Sequence, residues 1–180
     1  MHKIPSMIFV IILIIAIFCC GCTEKNNEDS TEPKTVYMNA QDFINDFSFS
    51  TSTAGGKLTW KIDYKSLIEG DILILTDKIY NITHSGFLFG ITSIYFDVED
   101  YVRLGINASE IGFQFEGNIT NEFEIGDNVR ITLTVKHFLY TNETSGASFD
   151  MEVFEEGWDQ EKFMMNFLTQ ILPKSTIEKI

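Results

Sequence analysis

Apolar and polar positions alternate with a period of two along most of this chain and with a helical period near each end of its polar part. A run at the start is apolar without interruption. Leu58, Trp60, Ile62 and Tyr64 alternate with Thr59, Lys61 and Asp63, the pattern of a strand with one buried face. Val129, Ile131, Leu133 and Val135 alternate in the same way with Arg130, Thr132, Thr134 and Lys136. Ile94, Phe96 and Val98 repeat the pattern, as do Ile111, Phe113 and Phe115, and then Phe149, Met151 and Val153. The stretch from Asp71 to Ile82 is apolar on both phases at Ile72-Leu73-Ile74-Leu75, which predicts a central strand covered on both sides. Gly70-Asp71, Ser85-Gly86, Gly117-Asn118, Gly126-Asp127 and Ser145-Gly146 punctuate these runs as turns, and Gly55-Gly56 reads as a flexible turn.

Two short helices flank the strands. Asn39 is placed to cap one, with Asp42 in its first turn, and Ala40, Phe43, Ile44 and Phe47 form its apolar stripe. Met38 and Phe43 fit a hydrophobic staple across its start. Near the C-terminus Asp159 caps a second helix, Trp158 and Phe163 form its staple, and Phe163, Met164, Phe167, Leu168 and Ile171 make one stripe ended by Pro173. The fold class is therefore mostly β. The order of elements predicts a small barrel with flanking N- and C-terminal helices, with a β-sandwich as the alternative.

The start of the chain carries an address. Met1-His2-Lys3 leads into the apolar run Met7 to Phe18, which ends in Cys19-Cys20-Gly21-Cys22. That ending resembles a prokaryotic lipobox, which implies thioether lipidation of Cys22 and cleavage before it. The lipobox has an aliphatic residue three positions before the lipidated cysteine, where this chain has Cys19. The other reading of residues 1–22 is a retained membrane anchor, although Met7 to Cys22 rises only about 24 Å as a helix, short of a hydrocarbon core of about 30 Å. Either reading anchors the chain to the outer face of the cell membrane. Residues 23–35 are a polar tether in which Thr23 to Pro33 offers nothing to a core, and residues 36–180 form the exported domain.

All three cysteines lie in residues 1–22, so the exported domain must fold without a disulfide and has no thiolate to offer a metal or a substrate. The whole chain has a formal charge of −13, and losing residues 1–21 removes only Lys3, leaving the remainder one unit more negative. Such a surface repels phosphate backbones, which excludes nucleic acid as the expected partner.

The run Gly70 to Tyr80, the strand through Ser93 to Asp97, Phe113 to Gly117, and Glu124-Ile-Gly-Asp-Asn-Val-Arg-Ile-Thr-Leu-Thr-Val135 resemble an OB-fold domain. They are similar to secreted OB modules named after anticodon binding, in which Gly-Asp opens the first and fourth strands. The resemblance covers about Ala40 to Glu156 and implies an OB-like barrel. This chain differs in having only Thr120 to Ile125 where the family has a helix, and in having the strand Leu58 to Tyr64 before the first.

The search for chemistry returns little. His84 and His137 lack any His-x-x-His or His-Glu-x-x-His spacing, and His137, on the inward phase of its strand, reads as a hydrogen-bonded histidine at a barrel rim. No nucleophile elbow, Ser-x-x-Lys set or phosphate loop is evident. Asp97, Glu99 and Asp100 are weak metal candidates within what reads as a solvated charged rim, so no metal and no cofactor is expected. Asn81, Asn107, Asn118 and Asn142 each open an Asn-x-Ser/Thr sequon and stand at expected strand ends or turns. Sequon use in a lipobox-bearing chain fits an archaeal envelope better than a bacterial one. The expected function is a lipid-anchored, non-catalytic binding or interaction module whose partner is an envelope protein or a small neutral or cationic ligand. The alternatives are a structural envelope lipoprotein or adhesion-type β-sandwich and, last, an enzyme built on carboxylates. Exposed aromatics gathered on one face would favour binding over a structural role.

Overall fold

The computed structural model describes residues 32–86, 90–103, 106–142, 146–165 and 169–180, without the side chains of 100–108 and 165. Its strands are β1 (Thr35–Met38), β2 (Phe47–Ala54), β3 (Lys57–Tyr64), β4 (Ile72–Ser85), β5 (Ile91–Arg103), β6 (Ile106–Glu116), β7 (Asn128–Thr141), β8 (Ser148–Phe154), β9 (Ile171–Leu172) and β10 (Ile177–Lys179). Two short helices, α1 (Ala40–Asp46) and α2 (Gln160–Met165), accompany them. The fold is mostly β, as the alternation requires.

The strands form one mixed sheet in the order β2-β3-β8-β7-β4-β5-β6-β9, with β1 added beside β4 and β10 beside β7. The path is open: among the described residues, β2 and β9 do not pair, so the expected closed barrel does not form. The long strands β4 and β7 join three regions. The first half of β4 pairs with β1 and β7, and its second half with β5 across a register shift between Ile79 and Asn81. The second half of β7 leaves β4 and pairs with β8.

The main core lies on the inner face of the central strands. Leu73, Leu75 and Ile79 of β4, Ile94 and Phe96 of β5, Phe113 and Phe115 of β6 and Val129 to Val135 of β7 meet Phe43 and Ile44 of α1 there. Asn39 caps α1 as expected, its side chain accepting the Asp42 N–H at 2.7 Å. The helix is shorter than its stripe predicts, because the chain turns extended at Phe47 and starts β2 there. The two-sided burial expected around Ile72 is also corrected: Leu73 and Leu75 are sealed, but Ile72 keeps 39 % of its surface exposed.

Buried polar groups fasten the strand ends. The carboxylate of Asp71, fully buried, accepts the N–H groups of Lys34 at 2.9 Å and Ile68 at 3.0 Å, tying the entry of β1 to the start of β4. Thr92, equally buried, donates to the Gly117 carbonyl at 2.7 Å and accepts the Ile119 N–H at 3.2 Å. The C-terminal stretch departs from the predicted helix. Asp159 does cap α2, accepting the Lys162 N–H at 3.0 Å, and the rings of Trp158 and Phe163 lie 5.0 Å apart as a staple. Ile171, however, pairs as a strand with Gln114, and Pro173 leads into a 3-10 turn rather than ending the helix. Gly157 allows this return, since a Cβ there would stand 2.5 Å from the Ile171 carbonyl oxygen. Phe167 and Leu168 of the expected stripe lie outside the described residues.

Candidate functional site

β2, β3, β8 and the second half of β7 make a wing that differs from the rest of the sheet in burying apolar groups on its other face. Inward positions on β7 run Val129, Ile131, Leu133 and Val135, and then shift phase to Phe138. Residues three apart on a strand point to opposite faces, so Val135 belongs to the main core and Phe138 to a second, smaller cluster. That cluster holds Phe138, Met151, Val153 and Phe163, with Ile62, Tyr140, Phe149, Trp158 and Met164 packed against it.

The register sets out this face in rows. Phe49, Ile62, Met151 and Phe138 lie side by side in one row, and Thr51, Trp60, Phe149 and Tyr140 in the next. Trp158 and α2 cover the first row at its Phe138 end, with ring centroids 4.8 Å apart for Phe138–Trp158 and 6.0 Å for Phe138–Phe163. Phe49, Trp60, Tyr140 and Phe149 stay half-buried. Their rings are close: Trp60–Phe149 at 6.4 Å and 24°, Tyr140–Phe149 at 6.2 Å and 29°, and Phe49–Trp60 at 5.8 Å. Near-parallel rings at such separations are offset-stacked on each other, so the row presents ring edges outward as an apolar ridge rather than a flat platform.

The opposite face of the wing carries the charge. His137 stands directly opposite Glu152, and Lys61 opposite Asp150. The His137 Nε2 lies 3.3 Å from the Asp150 Oδ1, and the Lys61 Nζ 3.1 Å from the Asp63 Oδ1. Glu152 accepts the Tyr64 N–H at 2.8 Å. Burial holds the Glu152 carboxyl above the usual range, and Asp63 adds to this against the pull of the Tyr64 N–H, His137 and Lys61. The Lys61 ammonium is raised mainly by its hydrogen bond to Asp63. The Tyr64 phenol is raised well beyond its ordinary value by burial, and further by Glu152 and Asp46. His137–Asp150 and Glu152–Tyr64 tie neighbouring strands, while Lys61–Asp63 runs along β3. His137 is exposed on this outer face beside Asp150, so the reading of an inward-phase histidine at a barrel rim is corrected: the sheet does not close into a barrel and has no such rim.

The other expected site residues are scattered. Asp97 is exposed on β5, the Glu99 N–H donates to the Gln41 side chain at 2.7 Å, and the side chain of Asp100 lies outside the described ones. Among the described residues no group of three His, Cys, Asp or Glu is placed to hold a metal. Asn81 is half-buried within β4 rather than at a strand end, so that placement is corrected. Asn107 falls inside β6 with its side chain outside the described ones, and Asn142 is half-buried at the loop after β7. Asn118 is exposed in the turn after β6, and its Oδ1 accepts from the Thr120 hydroxyl at 2.7 Å. Cys22 lies outside the described residues, among which no helix is long and apolar enough to cross a membrane.

Sequence reasoning missed β2. Its signals were the alternation of Phe47 and Phe49 with serines and the Gly55-Gly56 pair. Both glycines have positive φ, +59° and +76°, and form a tight two-residue hairpin turn instead of a flexible one. Compared with known protein families, curated proteins and solved structures, the chain matches none.

Proposed function

We propose that this protein is a non-catalytic binding module tethered outside the cytoplasmic membrane, either through a lipidated Cys22 or through a retained N-terminal helix. Its open, two-core sheet is read as sandwich-like. The observation that carries this reading is the half-buried aromatic ridge of Phe49, Trp60, Phe149 and Tyr140 on one face of the wing. A purely structural domain gains nothing from leaving four aromatic rings partly in water, whereas a ridge of ring edges beside a packed helix suits an apolar protein surface. The partner is therefore an envelope protein, and the acidic balance of the chain keeps nucleic acid out of consideration. Asn118 is the sequon best presented for a glycan.

The test is a photo-crosslinking amino acid placed at Trp60 in the full chain expressed in its own envelope, with Tyr80 as control. Tyr80 is 54 % exposed on β4, away from the wing. An adduct to a second protein from position 60 but not from position 80 is expected. No adduct from 60, 140 or 149 would return the protein to a structural role. Mass spectrometry of the native protein decides the anchor, and an intact Met1 would replace the lipid with the retained helix.

A further inference from the structure

β2 is an edge strand without the usual protection. Phe47–Ala54 reads Phe-Ser-Phe-Ser-Thr-Ser-Thr-Ala, with no charge, no proline and an unbroken register to β3 along its eight residues. The other open ends are the four residues of β1, the two of β9 and the three of β10, and β6 beyond β9 carries Glu110. The turn makes Ala54 and Lys57 the closing hydrogen-bonded pair of the hairpin, so Ser52, Ser50 and Ser48 bond to β3. The N–H and C=O groups of Phe49, Thr51 and Thr53 then point away from it. Among the described residues no strand takes them up.

We infer that this edge pairs with the same edge of a second copy of the chain, antiparallel and two-fold about Ser50. In that register Phe49 lies opposite Thr51 of the other copy, and their outward backbone groups supply the new ladder. Ser50 meets Ser50 in the closer, non-hydrogen-bonded position. Every residue keeps its face. Phenylalanines and threonines stay on the aromatic side, and serines stay on the charged side.

Charge selects the occupant. The strand is preceded by Asp46 and its hairpin returns at Lys57. Two-fold pairing brings the α1 end of one copy, where Asp46 also accepts the Ser66 N–H at 3.2 Å, to the hairpin end of the other, which carries Lys57. A parallel pairing would set Asp46 near Asp46. The uncharged strand itself spares the contact the repulsion expected between two acidic chains. The pairing stands whether or not the aromatic ridge takes an envelope partner.

The full chain in detergent, measured by sedimentation at about 50 µM, well above a micromolar dissociation constant, is expected to show the protein mass of two copies. Thr51→Pro removes an outward N–H that β3 does not use, and is expected to give one-copy mass with unchanged circular dichroism. Ser50→Lys and Ser50→Glu are each expected to give one copy, because like charges then face each other across the two-fold. Mixed in equal amounts, they are expected to restore two. One-copy mass for the unaltered chain overturns the pairing, as does two-copy mass that survives both Ser50 variants. A mixture that stays at one copy overturns the Ser50-centred register, and this pair of variants decides even where Thr51→Pro fails to fold.

Discussion

The central strands and the wing use similar residues to different ends. In the centre, Leu73, Phe96, Ile131 and Leu133 lose all contact with water. In the wing, Phe49, Trp60, Tyr140 and Phe149 alternate as regularly but stay half-buried, because α2 reaches only the Phe138 end of their face. The centre is where stability resides. The wing leaves part of its aromatic surface in water, and that surface is the one the proposed binding role would use.

Truncation should break the comparison most sharply. Leu133→Ala, at a sealed position of β7 opposite Leu73 of β4, is expected to cost about 2 to 5 kcal/mol, read from denaturant unfolding. Trp60→Ala removes more atoms from a half-buried site and is expected to cost under about 2 kcal/mol while abolishing the partner crosslink from a photo-crosslinking residue placed at position 140. Equal losses at the two sites would make the wing a second structural core and remove the basis for a binding role.

Asp71→Ala is expected to follow, at about 1 to 3 kcal/mol, because it takes the acceptor from the Lys34 and Ile68 N–H groups in two part-buried hydrogen bonds. Amide exchange should quicken across β1 and leave the wing unchanged. Exchange that quickens in β2 and β3 as well would show that the two regions unfold as one.

How much of this was legible depended on whether strand identity came from pattern or from pairing. β3, β5, β6 and the first half of β7 could be read, because one buried face forces strict alternation. β2 offered only Phe47, Phe49 and the Gly55-Gly56 pair as signals, since Ser48, Ser50, Thr51, Ser52 and Thr53 become strand by closing a hairpin on β3. Ile171-Leu172 and Ile177–Lys179 are too short to show any period and are strands only because β6 and β7 offer open edges. The aromatic alternation at Trp60 and Phe149 was visible as an inward phase. Its facing a second core was not, since that follows from the phase shift between Val135 and Phe138 and from where the sheet turns. Barrel closure failed for the same reason: it depends on whether distant strands meet, and β2 and β9 do not.

The smallest expected effect distinguishes the charged face of the wing from the rest of the molecule. Glu152 has a carboxyl raised in the folded state, chiefly by burial, and it faces His137 on β7 and Asp63 and Lys61 on β3, with Asp150 beside it on β8. A group whose folded value exceeds its unfolded one favours folding fully below the unfolded value and loses that contribution as pH rises through the folded value. Asp127 runs the other way. Its carboxyl is lowered chiefly by Lys179, whose Nζ lies 2.6 Å away, and also by the Glu124 N–H, so its contribution is lost as pH falls through the folded value. The Glu152 share must therefore be read as a difference between proteins rather than from one pH curve. Glu152→Gln keeps an oxygen to accept the Tyr64 N–H but never ionises. The variant should match the parent in acid, where the parent's carboxyl is protonated, and exceed it at neutral pH by under about 1 kcal/mol, since solvent screens a half-buried group. A stability difference that does not change between acid and neutral pH would mean that burial on this face does not govern the Glu152 charge.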